Sequence, residues 1–232
     1  MYRHRLGFTV RQAMMPPMAT SRPIVGRPRG RLPLAREGWP FILGVAAVTA
    51  VAALLCWWIV AGVALALLVF ILNFFRDPER PTPAGDSYIC PADGKVVRAE
   101  ATEGGQRIDI FMNVFDVHVN RAPMAGRITH MQYEPGRFIN AAHESASTEN
   151  ERNRFEMETD DGQRIAFTQI AGLVARRIVS YVAVGDHVAA GQRIGMIRFG
   201  SRVDCEIPAG YALRVKVGDR VTAGLTVLAE KT

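Results

Sequence analysis

The chain has 232 residues, 49% of them hydrophobic, with 28 Lys and Arg against 22 Asp and Glu. That length fits one domain with attachments. Cys56, Cys90 and Cys205 lie far apart with no CxxC pair, the five His are scattered, and no HExxH occurs, so neither a disulfide framework nor a zinc peptidase is written here.

Charge is uneven along the chain. Residues 1–38 hold eight Arg and a single acid, Glu37, leaving 20 basic and 21 acidic side chains in residues 39–232. This Pro- and Arg-rich tail forms no core and reads as disordered. Met14, Met15 and Met18 are alternative starts within it. It abuts an apolar segment and lacks interleaved aromatics, which points to an anionic membrane surface and no nucleic acid.

Residues 39–75 form the next unit. Pro40 to Phe75 contains no charged residue across 36 positions. As one helix it would measure about 54 Å at 1.5 Å per residue, against a hydrocarbon core of about 30 Å. Two arrangements fit: one tilted span projecting beyond the bilayer, or a hairpin of two short helices turning near Cys56-Trp57-Trp58, with the Trp pair at an interface. The turn region has no Gly, Pro or Asn, which speaks against the hairpin. A cleavable signal fits poorly with so long an apolar run. Positive-inside bias keeps the N-terminus cytoplasmic; a hairpin then leaves the remainder of the chain in the cytoplasm, and a single span exports it.

Residues 76–232 read as a mainly β domain. Strand patterns cover Tyr88 to Ala99, with an Asp93-Gly94 turn signal, then Arg107 to Asn120 as a strand pair or one bent strand, Arg164 to Ala171 and Ile178 to Val184. The one hint of helical period is around Arg137 to His143. Val184-Gly185-Asp186-His187-Val188-Ala189-Ala190-Gly191 is repeated as Val217-Gly218-Asp219-Arg220-Val221-Thr222-Ala223-Gly224. Each copy reads as turn, short strand, Gly turn, strand, and the pattern resembles a biotinyl/lipoyl-like barrel-sandwich. A carrier domain of that type presents Lys on the hairpin between the copies. Here the three Lys are at 95, 216 and 231, none at the tip, and the stretch contains Gly200-Ser201 instead.

Gly200-Ser201 reads either as an ordinary turn or as a bond that cuts itself, with the Ser201 hydroxyl attacking the Gly200 carbonyl. Gly200 permits the strained backbone that such an attack needs. The hydroxyl also needs a base. His118 is the best candidate: in a strand, Asp116, His118 and Asn120 share one face and Phe115, Val117 and Val119 the other. The same pattern suits a solvent-bordering His. His143, in a polar loop, is the reserve. Asp93 is either a turn residue or the acid that orients His118. Arg152, Arg176 and Arg177 suit a phosphate, or are solvated charges.

Six segments in this order resemble the phosphatidylserine decarboxylases of short bacterial type: Asn73-Phe74-Phe75-Arg76-Asp77-Pro78-Glu79-Arg80, Pro91-Ala92-Asp93-Gly94-Lys95-Val96, Asp116-Val117-His118-Val119-Asn120-Arg121-Ala122-Pro123, Asn150-Glu151-Arg152-Asn153, Gln169 through Ile178, and Arg198-Phe199-Gly200-Ser201-Arg202. The resemblance covers roughly residues 70–230. It implies a proenzyme that splits into a β chain, 1–200, and an α chain, 201–232, leaving a pyruvoyl group made from Ser201. It implies catalytic roles for Ser201, His118 and Asp93, with phosphatidylserine in the bilayer as substrate. The substrate amine would form a Schiff base with the pyruvoyl carbonyl, and carbon dioxide would leave to give phosphatidylethanolamine. The expected location is the cytoplasmic face of a bacterial inner membrane, and a homo-oligomer is compatible with the sequence. Two features depart from the longer enzymes: Phe-Gly-Ser-Arg replaces Leu-Gly-Ser-Thr, and Arg121 stands where a second His follows the first, so His118 has to serve both maturation and decarboxylation. The rival readings are a non-enzymatic membrane-anchored adaptor, which predicts an uncut chain, and a decarboxylase for another serine-headgroup lipid such as archaetidylserine.

Overall fold

The computed structural model describes residues 33–141, 143, 145–172, 177–198 and 200–232. Most of the basic tail therefore lies outside the described residues.

The apolar segment is a helical hairpin. α1 (Trp39–Leu54) follows a short 3-10 turn at Arg36–Gly38 and carries Pro40 in its first turn, where a missing N–H leaves nothing unpaired. α2 (Trp58–Phe74) runs back beside it. The chain reverses at Cys56 with φ 57°, a left-handed conformation rare outside Gly and Asn. The turn residues thought to be required are thus replaced by one strained Cys. Both ends of the hairpin meet at the domain. Ala35 N donates to Phe75 O at 2.7 Å and Asp77 N to Pro33 O at 2.7 Å. Phe41 stacks on Phe75 with centroids 5.6 Å apart. Gly38 lies so close to Phe75 that an added Cβ would sit 2.6 Å from its side chain.

The remainder is mainly β, as expected. The strands are β1 (Tyr88–Ile89), β2 (Gly94–Thr102), β3 (Gly105–Met112), β4 (Val119–Arg121), β5 (Gly126–Glu134), β6 (Arg152–Thr159), β7 (Arg164–Ala171), β8 (Ile178–Ser180), β9 (His187–Val188), β10 (Arg193–Ile197), β11 (Ser201–Pro208), β12 (Tyr211–Leu213), β13 (Arg220–Val221) and β14 (Val227–Lys231). Eight form a sheet curled into a half-barrel, in the order β13-β2-β3-β11-β7-β6-β5-β9. Two three-stranded sheets, β1-β14-β12 and β4-β10-β8, complete the domain. The core is aliphatic and aromatic: Ile108, Ile110, Val203 and Cys205 from the central strands are fully buried, and Phe155 stacks on Phe167 at 4.9 Å. Pairs of this kind add about 0.5–1.5 kcal/mol beyond the area they bury.

The internal repeat acquires a structural meaning. Its first copy supplies edge strand β9, pairing with β5 at Gly126↔Val188; its second supplies edge strand β13, pairing with β2 at Gly94↔Val221. The two copies therefore close the two ends of the same sheet. Gly94 (φ 155°) and Gly126 (φ 156°) each bring the neighbouring strand too near for a Cβ, which would meet Phe111 O at 2.1 Å and Glu158 O at 2.3 Å.

Two local expectations are revised. Residues 107–120 are two strands in different sheets, separated by a turn at Asn113–Asp116. The helical turn lies at α3 (Ala146–Glu149), not at 137–143. There the Asn150 side chain holds the chain extended, accepting from Ile139 N at 3.0 Å and donating to Ile139 O at 2.8 Å and Ala171 O at 2.7 Å.

Candidate active site

Ser201 opens β11, the strand between β3 and β7, and is fully buried. Gly-Ser is therefore the entry to a central strand and not an exposed tip. The Ser201 Oγ lies 3.3 Å from the thioether Sδ of Met112, its cross-strand neighbour. Gly200 turns the chain with φ 65°, a value that favours glycine. Its carbonyl, the group that the hydroxyl would attack, presses on Gly172: a Cβ on Gly172 would lie 2.1 Å from Gly200 O and 2.8 Å from Gly200 C.

His118 is buried just before β4, and Ile197 N donates to its carbonyl at 3.3 Å. The segment bearing His118 thus lies along the strand that leads to Ser201. The imidazole Nδ1 is 2.9 Å from Asp116 O. A carbonyl only accepts, so Nδ1 carries the proton and Nε2 keeps its lone pair. Nε2 is buried with no hydrogen-bond partner among the described residues. Burial lowers the pKa of His118 to about 4, with the Arg76 charge adding to the effect and the Asp116 hydrogen bond and Asp93 charge opposing it. At neutral pH the ring is an uncharged base whose lone pair no described residue engages.

Asp93 is placed differently from the expectation that it orients His118. Its carboxylate accepts two hydrogen bonds from Arg80, at 2.5 and 2.8 Å, and one from Ala223 N at 2.8 Å. No hydrogen bond joins His118 to Asp93 or to Ser201 among the described residues; the Asp116 carbonyl sets the tautomer. Backbone carbonyls leave no signature in a sequence, which is why the Asp116 contact was not foreseen.

The segment after α2 straps these groups together. The Phe74 ring packs on His118 with centroids 4.3 Å apart. Arg76 donates to Phe115 O at 2.7 Å. Asp77 accepts Arg193 Nε with both oxygens, at 2.7 and 2.8 Å. Arg80 then holds Asp93. Arg121, at the position of the missing second His, donates to Gly191 O at 2.9 Å and Pro78 O at 2.8 Å. Burial lowers its pKa only to about 10, so it stays protonated at neutral pH and cannot take over the proton transfers of a second His.

The other sequence candidates are scattered. Arg152 is held by Glu134 and Thr148 O, and Arg177 is exposed. Arg176 lies outside the described residues. His143 is exposed, and its carbonyl accepts Arg202 Nη1 at 3.0 Å. Arg202, buried beside Ser201, also holds Ala141 O and Asp204, so it ties Ala141 and His143 to the head of β11. A wide groove of about 930 Å³ runs at the opposite end, lined by residues such as Arg107, His130, Arg154 and Pro208, and none of Ser201, His118 or Asp93 borders it. Arg107 and Arg154 in its wall are already paired with acids.

The family model for phosphatidylserine decarboxylase matches residues 67–229. Among curated relatives, the phosphatidylserine decarboxylase proenzyme of Burkholderia ambifaria is 49% identical over 209 residues, covering 85% of this chain and 95% of that protein. Those of Paraburkholderia phymatum and Paraburkholderia xenovorans are 48% identical over 209 residues, covering 85% of this chain and 96% of theirs. A Gly-Ser junction with its serine buried and a neutral buried His beside the strand leading to it accompany matches of an extent that places the chain in the phosphatidylserine decarboxylase family.

Proposed function

We propose that this chain is a phosphatidylserine decarboxylase proenzyme that cuts itself between Gly200 and Ser201. The observation that carries this is the position of Ser201: a fully buried serine at the head of a central strand, preceded by a glycine in the left-handed region. An adaptor has no use for that arrangement.

In maturation, the Ser201 Oγ adds to the Gly200 carbonyl carbon and its proton passes to a base, for which His118 Nε2 is the candidate. The C–N bond breaks as the amine takes up a proton, leaving an ester. Loss of the Ser201 α-proton, with departure of the Gly200 carboxylate, gives dehydroalanine. Water then replaces its nitrogen, which leaves as ammonia, and the pyruvoyl group remains. The fold tolerates the cut. Residues 201–232 pair with the rest of the domain through β11 with β3 and β7, β13 with β2, and β14 with β1, so the α chain stays bound through four strand pairings. The site also fits the group: the fully buried side chain at 201, which becomes the pyruvoyl methyl, lies against the Met112 thioether.

The pyruvoyl group supplies a carbonyl that engages the substrate amine and accepts the electron pair of the departing carboxylate. His118 returns a proton to the substrate carbon, and burial against Phe74 keeps bulk water from competing. Asp93, paired with Arg80, biases that proton transfer through its charge. Arg152, Arg176 and Arg177 remain candidates for the lipid phosphate.

The hairpin brings the site to its substrate. α1 and α2, of 16 and 17 residues, are each about 25 Å long, short of the hydrocarbon core. One helical stretch, Arg36–Leu54, is long and apolar enough to cross a membrane. The hairpin is rooted at the Ser201 end: Phe74 and Phe75 share a cluster with Val117, Val119 and Met196. A membrane holding Trp57 and Trp58 therefore faces the end of the domain where residue 201 lies. A hairpin also returns the domain to the side it started from, which with the basic tail is the cytoplasmic face.

The test is denaturing mass spectrometry of the purified protein beside Ser201→Ala. A wild-type 201–232 fragment beginning with pyruvoyl, missing from the variant, supports the reading; an intact wild-type chain after long incubation in membranes overturns it.

A further inference from the structure

Phe115 breaks the pattern of its own segment. Strand alternation groups it with Val117 and Val119, and both of those are buried, whereas Phe115 is 65% exposed. It stands on the Asn113–Asp116 turn, and hydrogen bonds make that turn rigid. Phe115 N donates to Asn113 Oδ1 at 2.8 Å, Asn113 N donates to Asp116 Oδ2 at 2.9 Å, and Phe115 O accepts from Arg76 Nη2 at 2.7 Å. A fixed backbone thus holds an apolar ring outward.

A lone exposed hydrophobe needs no explanation, but this one has company. Its ring meets Phe70 of α2 edge-on, with centroids 6.3 Å apart. Leu67 and Val69 of α2 are exposed beside Phe70 in sequence, and so are Trp39 and Phe41 at the start of α1. Phe115 therefore continues the apolar surface of the hairpin onto the β domain. The uncharged run ends just beyond, at Arg76, so this level is where lipid gives way to water and where aromatic residues border a bilayer.

Cations lie on the other side of the turn. Arg220 Nη1 donates to Asp116 Oδ1 at 3.0 Å, with its side chain 68% exposed. It stands directly opposite Lys95 in the β13–β2 pairing, and Lys95 is exposed as well. Like charges placed opposite one another repel, and an anionic surface relieves that repulsion.

We propose that the Asn113–Asp116 turn is a second membrane contact of this chain: Phe115 enters the lipid interface beside the root of the hairpin, and Lys95 and Arg220 face the headgroups of an anionic bilayer. The inference rests on the anchor reading of α1 and α2 above. Its consequence reaches the site, because Asp116, the next residue, holds His118 Nδ1 through its carbonyl at 2.9 Å. Seating the turn in the bilayer sets the segment that bears His118 at the lipid surface, where a serine headgroup arrives.

The experiment uses the full chain in vesicles of phosphatidylcholine and phosphatidylserine, with bromines near the top of the phosphatidylcholine acyl chains. The three tryptophans, Trp39, Trp57 and Trp58, all belong to the hairpin segment. With these changed to Phe, Phe115→Trp supplies a single indole, and Glu103→Trp supplies one on the turn between β2 and β3, beside the groove at the opposite end of the domain. Bromine is expected to quench the indole introduced at 115 and to leave the one at 103 unquenched. Separately, Lys95→Gln in the otherwise natural chain should raise the KM, expressed as mole fraction of phosphatidylserine, about fivefold at unchanged kcat, the weight of one cation at an anionic surface. An unquenched indole at 115, beside quenched native tryptophans in the unaltered chain, overturns the proposal. Equal quenching at 103 and 115 also overturns it, as does a Lys95→Gln protein whose KM is unchanged or whose kcat falls. Native tryptophans that escape quenching would instead remove the anchor reading itself.

Discussion

His118 gives the sharpest energetic prediction. Its ring is buried against Phe74, and its pKa falls from 6.5 to about 4. A depressed histidine pKa means that the unfolded chain takes up the proton first. The contribution of the neutral ring is therefore fully present above pH 6.5 and is lost as pH falls from 6.5 toward 4. At 1.36 kcal/mol per pKa unit, the full loss is about 3 kcal/mol, of which about 2 kcal/mol has gone by pH 5. The measurement uses the uncut Ser201→Ala protein in detergent micelles, unfolded by urea at pH 7.0, 6.0 and 5.0, beside Ser201→Ala/His118→Asn. Asparagine keeps a donor for the Asp116 carbonyl but has no proton to gain. Contributions from the rest of the chain cancel in the difference. The gap between the two proteins should shift by about 2 kcal/mol across that range, against the His118 form at low pH. Parallel curves would refute both the burial argument and the picture of His118 as a neutral base.

Gly172→Ala should fold yet cut slowly or not at all, because its methyl group would displace the Gly200 carbonyl; the yield of the 201–232 fragment over time checks this. Arg80→Leu in the Ser201→Ala background leaves the half-buried Asp93 carboxylate without its cation, and urea unfolding should show a loss of about 1–3 kcal/mol; Arg80→Leu/Asp93→Leu should lose less, because no charge is stranded. Leu54→Lys with Ile59→Lys charges two exposed positions flanking the hairpin turn and should release the protein from floated anionic vesicles; unchanged flotation would place the anchor elsewhere.

Much of this was legible in the residues. An uncharged run of 36 positions cannot be anything but an apolar helix or helices, and the Val-Gly-Asp repeat marks two equivalent strand-turn units, since hydrophobic pattern and turn chemistry act locally. The candidates Ser201 and His118 were readable as residue types in a recurring order. The helical hairpin was less so: its turn is made by Cys56, a residue with no turn preference, and is held by packing between α1 and α2 and by Phe75 at their base. Tertiary structure alone decided which groups meet. Asp93 goes to Arg80, thirteen residues away, and not to His118; the His118 tautomer is set by a backbone carbonyl; Asn120 and Gln169 join across 49 positions beneath residue 201. Such pairings depend on strand order and register, which no local pattern encodes, and on burial, which turns an ordinary histidine into an uncharged base and an ordinary serine into the closed end of a strand.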